Sequence, residues 1–231
     1  MDLSRVDWSD VETSLWQSGY AKLPQILSPE ECASLIGLYA RTELFRSRIE
    51  MARYRFGVGN YQYFDYPLPP VVQQLREQSY PPLAGVANRW LDALGVAGPF
   101  PDTLLSFLGK CHDAGQAKAT PLLLHYEAGG YNCLHQDLYG DIAFPLQLVS
   151  LLSSPQHDFE GGDFLLVEQR PRAQSVGHAI HIARGEAVVF TTRYRPVKGV
   201  RGFYRVNVKH GVSPLILGTR YTLGIIYHDA R

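Results

Sequence analysis

Residues 121–137 read PLLLHYEAGGYNCLHQD. A short apolar run at 122–127 meets a glycine pair and then a second short run at 133–137. Runs of that length between turn formers predict strands. Within the second run His135, Gln136 and Asp137 alternate, so the imidazole and the carboxylate leave the same side of a strand. The texture persists downstream: strands are expected at 146–152, 163–167, 179–183, 187–191, 205–212 and 220–228, with turns at Glu160-Gly161-Gly162 and Arg184-Gly185-Glu186. Such a succession predicts a jelly-roll or barrel-like double sheet.

Upstream of residue 118 the punctuation is helical. Ser28-Pro29-Glu30-Glu31 sets a capping Ser, a Pro at the first helical position and a Glu at the third. Cys32, Leu35, Ile36 and Tyr39 follow at helical spacing, which predicts a helix over 29–42. Leu83, Val86, Ala87, Trp90, Leu91 and Leu94 step by threes and fours up to Gly95, a left-handed stop. Shorter helices are expected at 71–78 and 104–111, the latter behind an Asp102 or Thr103 cap. The chain thus reads as α+β: one domain over 1–231, with a mainly helical part at 1–117 packed on a jelly-roll core at 118–231.

Two later residues complete the pattern opened by the HxD triplet. In Val206, Val208, His210 and Val212 a single His interrupts an inward-facing apolar row. Two His and one carboxylate on one face of a metal, with other positions open, form the ligand set of non-haem Fe(II) oxygenases. Ten residues on, Arg220 sits in Gly218-Thr219-Arg220-Tyr221-Thr222. An unpaired guanidinium on a half-buried strand is unfavourable, and a diacid supplies its bidentate partner. Tyr126, nine residues before His135, is placed to add a hydroxyl. A bare HxD triplet also describes a capped turn or a solvated pair; the order HxD, distal His, Arg is what favours a metal.

Lys+Arg 22 against Asp+Glu 22, with 45% hydrophobic and 19% charged residues, excludes intrinsic disorder and argues against extensive wrapping of nucleic acid. The beginning of the chain lacks a secretory pattern, and no run reaches the roughly 18 apolar residues of a membrane helix. Cys32, Cys111 and Cys133 form no CxxC pair, so neither a disulfide framework nor a zinc ribbon is expected, and the reading is a cytoplasmic protein off the membrane. A local basic strip remains: Arg193, Arg195, Lys198, Arg201, Arg205 and Lys209, interleaved with Tyr194, Phe203 and Tyr204. It fits phosphate pairing and base stacking, and equally a solvated sheet edge. Tyr54, Phe56, Tyr61, Tyr63, Phe64 and Tyr66, behind Arg46, Arg48, Arg53 and Arg55, read as strand packing or as a substrate-facing lid. Cys133 reads as a core thiol, and His178 and His181 fall on opposite faces of a strand.

The HxD triplet, the distal His and the following Arg resemble the Fe(II)/2-oxoglutarate dioxygenase superfamily. Tyr126-Glu127-Ala128-Gly129 through His135-Gln136-Asp137, and Arg220-Tyr221-Thr222-Leu223, resemble the bacterial alkylated-DNA repair dioxygenases. The whole chain, including MARYRFGVGNYQYFDYPLP at 51–69, is similar to a prokaryotic oxygenase family linked to oxidation of damaged nucleic acid. The resemblance implies a double-stranded β-helix fold and a metal site of His135, Asp137 and His210 for Fe(II). It implies that Arg220 holds the distal carboxylate of 2-oxoglutarate, helped by Tyr126 and Thr222. The implied chemistry consumes O₂ and 2-oxoglutarate, gives succinate and CO₂, and oxidises a substrate C–H bond. On the methyl group of an alkylated single-stranded or flipped base it releases formaldehyde. Two positions depart from the repair enzymes: their second Arg, six residues beyond the first, is here Ile226, and their acidic residue two beyond the HxD Asp is here Tyr139. The alternatives are hydroxylation of a protein side chain, amino acid or small metabolite, and a non-catalytic metal-binding sensor.

Overall fold

The computed structural model describes residues 1–137 and 140–231. In chain order its elements are α1 (Trp8–Ser18), β1 (Tyr20–Leu23), α2 (Pro29–Leu38), β2 (Phe45–Glu50), β3 (Gly57–Val58), β4 (Asn60–Phe64), α3 (Pro70–Ala93), α4 (Leu104–Asp113) and β5 (Leu122–Glu127). There follow β6 (Tyr131–His135), β7 (Leu146–Leu151), β8 (Phe159–Gly161), β9 (Phe164–Gln169), β10 (Val176–Ile180), β11 (Ala187–Thr191), β12 (Tyr194–Gly199), β13 (Gly202–Val212) and β14 (Leu215–Ile225). An eight-stranded sheet runs β1-β11-β7-β14-β5-β4-β2, with β8 joined to β14. A six-stranded sheet runs β10-β9-β13-β6-β3, with β12 on β13. Two antiparallel sheets meeting across a shared core form the expected jelly roll, and the fold is α+β.

The core explains why the central strands look apolar throughout. β7 is buried at every position. Its Leu146 and Leu148 join α1, α3 and α4 in one apolar cluster, whereas Val149 and Leu151 join Phe164, Leu166, Phe190 and Val208 between the sheets. The helices therefore cover the outer face of the larger sheet, and its inner face is left to meet the smaller one. Among the described residues no helix is long and apolar enough to cross a membrane.

Three local expectations change. The two helices expected on either side of residue 80 are one helix, α3, which runs through Pro81 and Pro82. A continuous buried stripe of Val72, Leu75, Tyr80, Leu83, Ala87 and Trp90 holds it, and packing outweighs the hydrogen bonds that proline removes. The helix expected over 29–42 is α2 and ends at Leu38, though its capping box forms as read, with Ser28 Oγ accepting from Glu31 N–H and Glu31 accepting from Ser28 N–H. The N-terminal part also contributes β1 to β4 to the sheets, and α1 stands between an Asp7 cap and a left-handed Gly19. With only Val11 and Leu15 buried along it, α1 presents too narrow an apolar stripe to stand out in the sequence.

Candidate metal centre

β6 and β13 pair with His135 directly opposite His210, and residues so opposed project to one face. Their ring centroids are 4.2 Å apart. The two strands lie close because residue 211 is glycine: a Cβ there would meet the Asn132 carbonyl oxygen at 2.6 Å. Asp137 reaches the same point from outside the strand, since β6 ends at His135. The strand expected through residue 137 is thus corrected to one that ends at His135, with Gln136 and Asp137 beyond it. Gln136 holds these residues in place, its amide donating to the carbonyls of Arg193 at 2.7 Å and Val208 at 2.9 Å.

Asp137 Oδ1 is 3.3 Å from His135 Nε2, and Oδ2 is 3.3 Å from His210 Nε2. One ligand atom from each of the three lies within 4.8 Å of the others. His135 Nδ1 is 2.7 Å from the Cys133 carbonyl. A carbonyl only accepts, so the proton sits on Nδ1 and the Nε2 lone pair faces the cluster. Burial alone would raise the Asp137 carboxyl, but the His210 and His135 imidazoles hold it well below the usual carboxylate range. Burial keeps His210 below the ordinary imidazole value, whereas in His135 the Asp137 carboxylate outweighs burial and raises it. An anionic oxygen with imidazole nitrogens, open on one side, fits Fe(II).

The cluster opens into a cavity of about 430 Å³. On its floor Arg220 stands opposite Tyr126 in the β14–β5 pairing. Arg220 is 2% exposed, lies 5.8 Å from the rings of Tyr126 and Phe159, and its Nε has no hydrogen-bond partner. Burial pushes its pKa down to about 10, against the Tyr126 and Asp163 groups nearby. Burial pushes the Tyr126 hydroxyl up to about 12, against the pull of the Arg220 charge and the Asn132 side chain. Thr222, two residues along β14, lines the same floor. A desolvated guanidinium without a protein partner favours a bound anion, and 2-oxoglutarate offers one carboxylate to it and another to a metal.

All six residues singled out in the sequence line this one cavity. So does Ile226, so no second cation stands at that position. Tyr139 lies outside the described residues. Cys133 is exposed at the mouth rather than in the core. His178 packs against Tyr20, and His181 bonds Asp163 at 3.0 Å, so neither joins the cluster.

The basic strip is partly dismantled. Arg195 turns inward and pairs with Glu168 at 2.6 Å, both side chains being buried. Arg193, Lys198, Arg201 and Arg205 stay exposed, and Arg205 lies over the Tyr194 ring at 4.9 Å. Across the mouth Tyr54 and Phe56 stack at 5.5 Å and are 49% and 47% exposed. Arg55 and Phe56 line the entrance. The sequence reading missed two cavity-related glutamines. Gln136 sits unremarked inside the HxD triplet, and Gln147 is the polar residue in an otherwise apolar LQLV run, where alternation with Val149 and Leu151 would have placed it inside.

Comparison with known proteins agrees with this geometry. A family model, Oxygenase-NA, described as "Oxygenase, catalysing oxidative methylation of damaged DNA", matches residues 59–230. An uncharacterized protein of Mycobacterium tuberculosis is 49% identical over 167 residues, 72% of each chain. Among solved structures, an oxidoreductase of the 2OG-Fe(II) oxygenase family from Burkholderia pseudomallei superposes with a TM-score of 0.57 at 14% identity, covering 100% of this chain and 96% of its own. A Pseudomonas putida prolyl-4-hydroxylase superposes with a TM-score of 0.54 at 19% identity, covering 97% and 100%. These structures share the fold.

Proposed function

Since the chain belongs to the Oxygenase-NA family and is by family and fold a 2-oxoglutarate- and Fe(II)-dependent oxygenase, we propose that it oxidises an alkylated nucleic-acid base in the cytoplasm, removing the alkyl group. His135, Asp137 and His210 hold the metal. Arg220 holds the distal carboxylate of 2-oxoglutarate, assisted by Tyr126 and Thr222, and residues 1–231 act as one oxygenase domain. The observation that carries the reading is the convergence of those six residues on one cavity. Bound there, Fe(II) with 2-oxoglutarate supplies the activation of O₂ that an unactivated C–H bond requires.

The chain's own residues do the positioning. Asp137 supplies the anionic oxygen, its carboxyl kept ionised by the neighbouring imidazoles. Arg220, rigidly buried, orients the co-substrate by a charge-assisted pair. The apolar lining, including Leu124, Val149 and Phe164, limits competing water. An oxidised N-methyl group leaves as formaldehyde and returns the unmodified base. The substrate side is supported by the family description and by the rims of the mouth. Gln136 ties the residues after β6 to Arg193 and β13, so the exposed Arg193 adjoins the cavity, Arg205 extends the cationic face along β13 over the Tyr194 ring, and Phe56, stacked on Tyr54, lines the cavity as well. A base must leave its stack to enter such a cavity, and cations beside aromatic faces favour a single strand.

The test is succinate and formaldehyde release by the iron-loaded chain, screened over methylated single-stranded oligonucleotides, peptides and amino acids. Stimulation by the methylated oligonucleotide with stoichiometric formaldehyde is expected. Stimulation by a peptide or amino acid alone overturns the base reading and leaves the iron chemistry. Binding of 2-oxoglutarate without succinate from any of them makes the chain a sensor.

A further inference from the structure

Gln147 lines the cavity, is 5% exposed, and its Nε2 has no hydrogen-bond partner. A buried amide donor left unpaired is unfavourable, so its presence inside β7 calls for an acceptor in the cavity.

Its place identifies that acceptor. In the β7–β11 pairing Gln147 stands opposite Phe190, so both project inward. The Phe190 ring is 4.7 Å from that of His210, which sets Gln147 at the metal end. On its other side β14 places Gly224 opposite Val149 and Ile225 opposite Leu148; one further step sets Ile226 beside Gln147. Arg220 lies six residues up β14 from there, about 20 Å along a strand. That span, less the reach of a guanidinium and an amide, accommodates a five-carbon diacid end to end. Gln147 also belongs to a central strand of the larger sheet, on the floor. The mouth, where a substrate enters, is formed instead by Arg55, Phe56 and Leu134.

We infer that Gln147 donates its amide N–H to the metal-proximal carboxylate of 2-oxoglutarate, the one beside the keto group. This rests on the reading of His135, Asp137 and His210 as metal ligands and of Arg220 as the distal anchor. The co-substrate is then held by a cation at one end and by a neutral amide at the other. A second cation beside the imidazoles would oppose metal binding; an amide does not.

The test is calorimetric titration of 2-oxoglutarate into the full chain loaded with Mn(II), which allows binding to be read without turnover. Gln147→Leu should weaken 2-oxoglutarate binding about tenfold or more, the usual loss for a hydrogen bond to a charged group. Gln147→Glu should weaken it further, because it sets a like charge against the carboxylate. Mn(II) affinity measured alone should stay within about twofold of wild type in the glutamate variant, which keeps size and shape and decides the matter should the leucine variant pack poorly. Unchanged 2-oxoglutarate affinity in both variants overturns the inference and leaves the metal site standing. If the wild-type chain binds 2-oxoglutarate equally with and without metal, the metal-centred reading itself is wrong and the inference goes with it.

Discussion

Arg220→Met separates what the guanidinium does for the ligand from what it does to the fold. In the wild-type chain the charge is desolvated between two aromatic rings, and its pKa is held near 10 rather than 12.5. That difference amounts to about 3 kcal/mol against the charged form in the folded chain. Because the folded-state value is the lower one, the unfolded chain binds the proton more tightly between those two values. The penalty is fully present at pH 7 and is relieved only as pH rises through that window. Methionine keeps most of the stem and removes the charge, so the variant without 2-oxoglutarate should melt no lower than wild type. Each kcal/mol recovered raises its midpoint by about 2–4 °C at this chain length. Co-substrate binding should move the opposite way, losing about 2–5 kcal/mol, which is a factor of about 30 to several thousand in affinity. Scanning fluorimetry with and without 2-oxoglutarate, in the presence of Mn(II), reads both. A variant that melts several degrees lower while binding 2-oxoglutarate as tightly as wild type would refute the reasoning, since Arg220 would then be a structural cation with a protein partner.

Gly211→Ala should push β13 off β6 at the Asn132 carbonyl and part His210 from His135. Metal affinity measured by equilibrium dialysis should drop at least tenfold with far-UV circular dichroism unchanged, and retention of wild-type affinity would refute the close-approach argument. His210→Ala should abolish stoichiometric metal binding outright, as read by elemental analysis. Glu168→Gln leaves the buried Arg195 without its counter-charge, which should lower stability by about 3–5 kcal/mol at pH 7 in urea melts. Burial alone would raise the Glu168 carboxyl, yet Arg170 and Arg195 hold it below its ordinary value. Its contribution is therefore complete above the unfolded-state value and fades as pH falls through the lower folded one; a loss equally large at pH 3 and pH 7 would contradict this. Charge reversal at Arg201 and Arg205 together should weaken binding of a methylated oligonucleotide and flatten its salt dependence. Uncoupled 2-oxoglutarate turnover should not change, and an unaltered salt slope would remove the β12–β13 pair from the substrate interface.

The jelly roll was legible because its strands are short and bounded by glycine, proline and acidic turns, and because the order of HxD, His and Arg ties three distant strands to one point. His210 could be singled out as a polar residue inside an apolar row, and Arg220 as a cation where none is welcome. Less visible was anything decided by partners across space. Arg195 reads as one more surface cation until β9 brings Glu168 against it. Pro81 and Pro82 read as a helix boundary, because local propensity carries no information about the buried stripe that spans them. β2 has a mostly polar sequence, FRSRIE, suited to the sheet edge it occupies, and periodicity alone hides such a strand. Gln147 was hidden by its neighbours: one polar residue in a buried run attracts notice only when both faces of the strand are assigned.

The bridge made by Gln136 has a bearing on metal exchange. A carboxylate ligand carried on a free turn would have to be gathered from many conformations each time an ion arrived, and that ordering would be subtracted from affinity. Here the residues after β6 are held by the Gln136 side-chain amide, which donates to the carbonyls of Arg193 and Val208 much as a ladder bond would beyond the last residue of a strand. The backbone that leads to Asp137 is thereby tied to β13, the strand that carries His210. A metal held by His135, Asp137 and His210 would then exchange through the open side with little backbone to reorder.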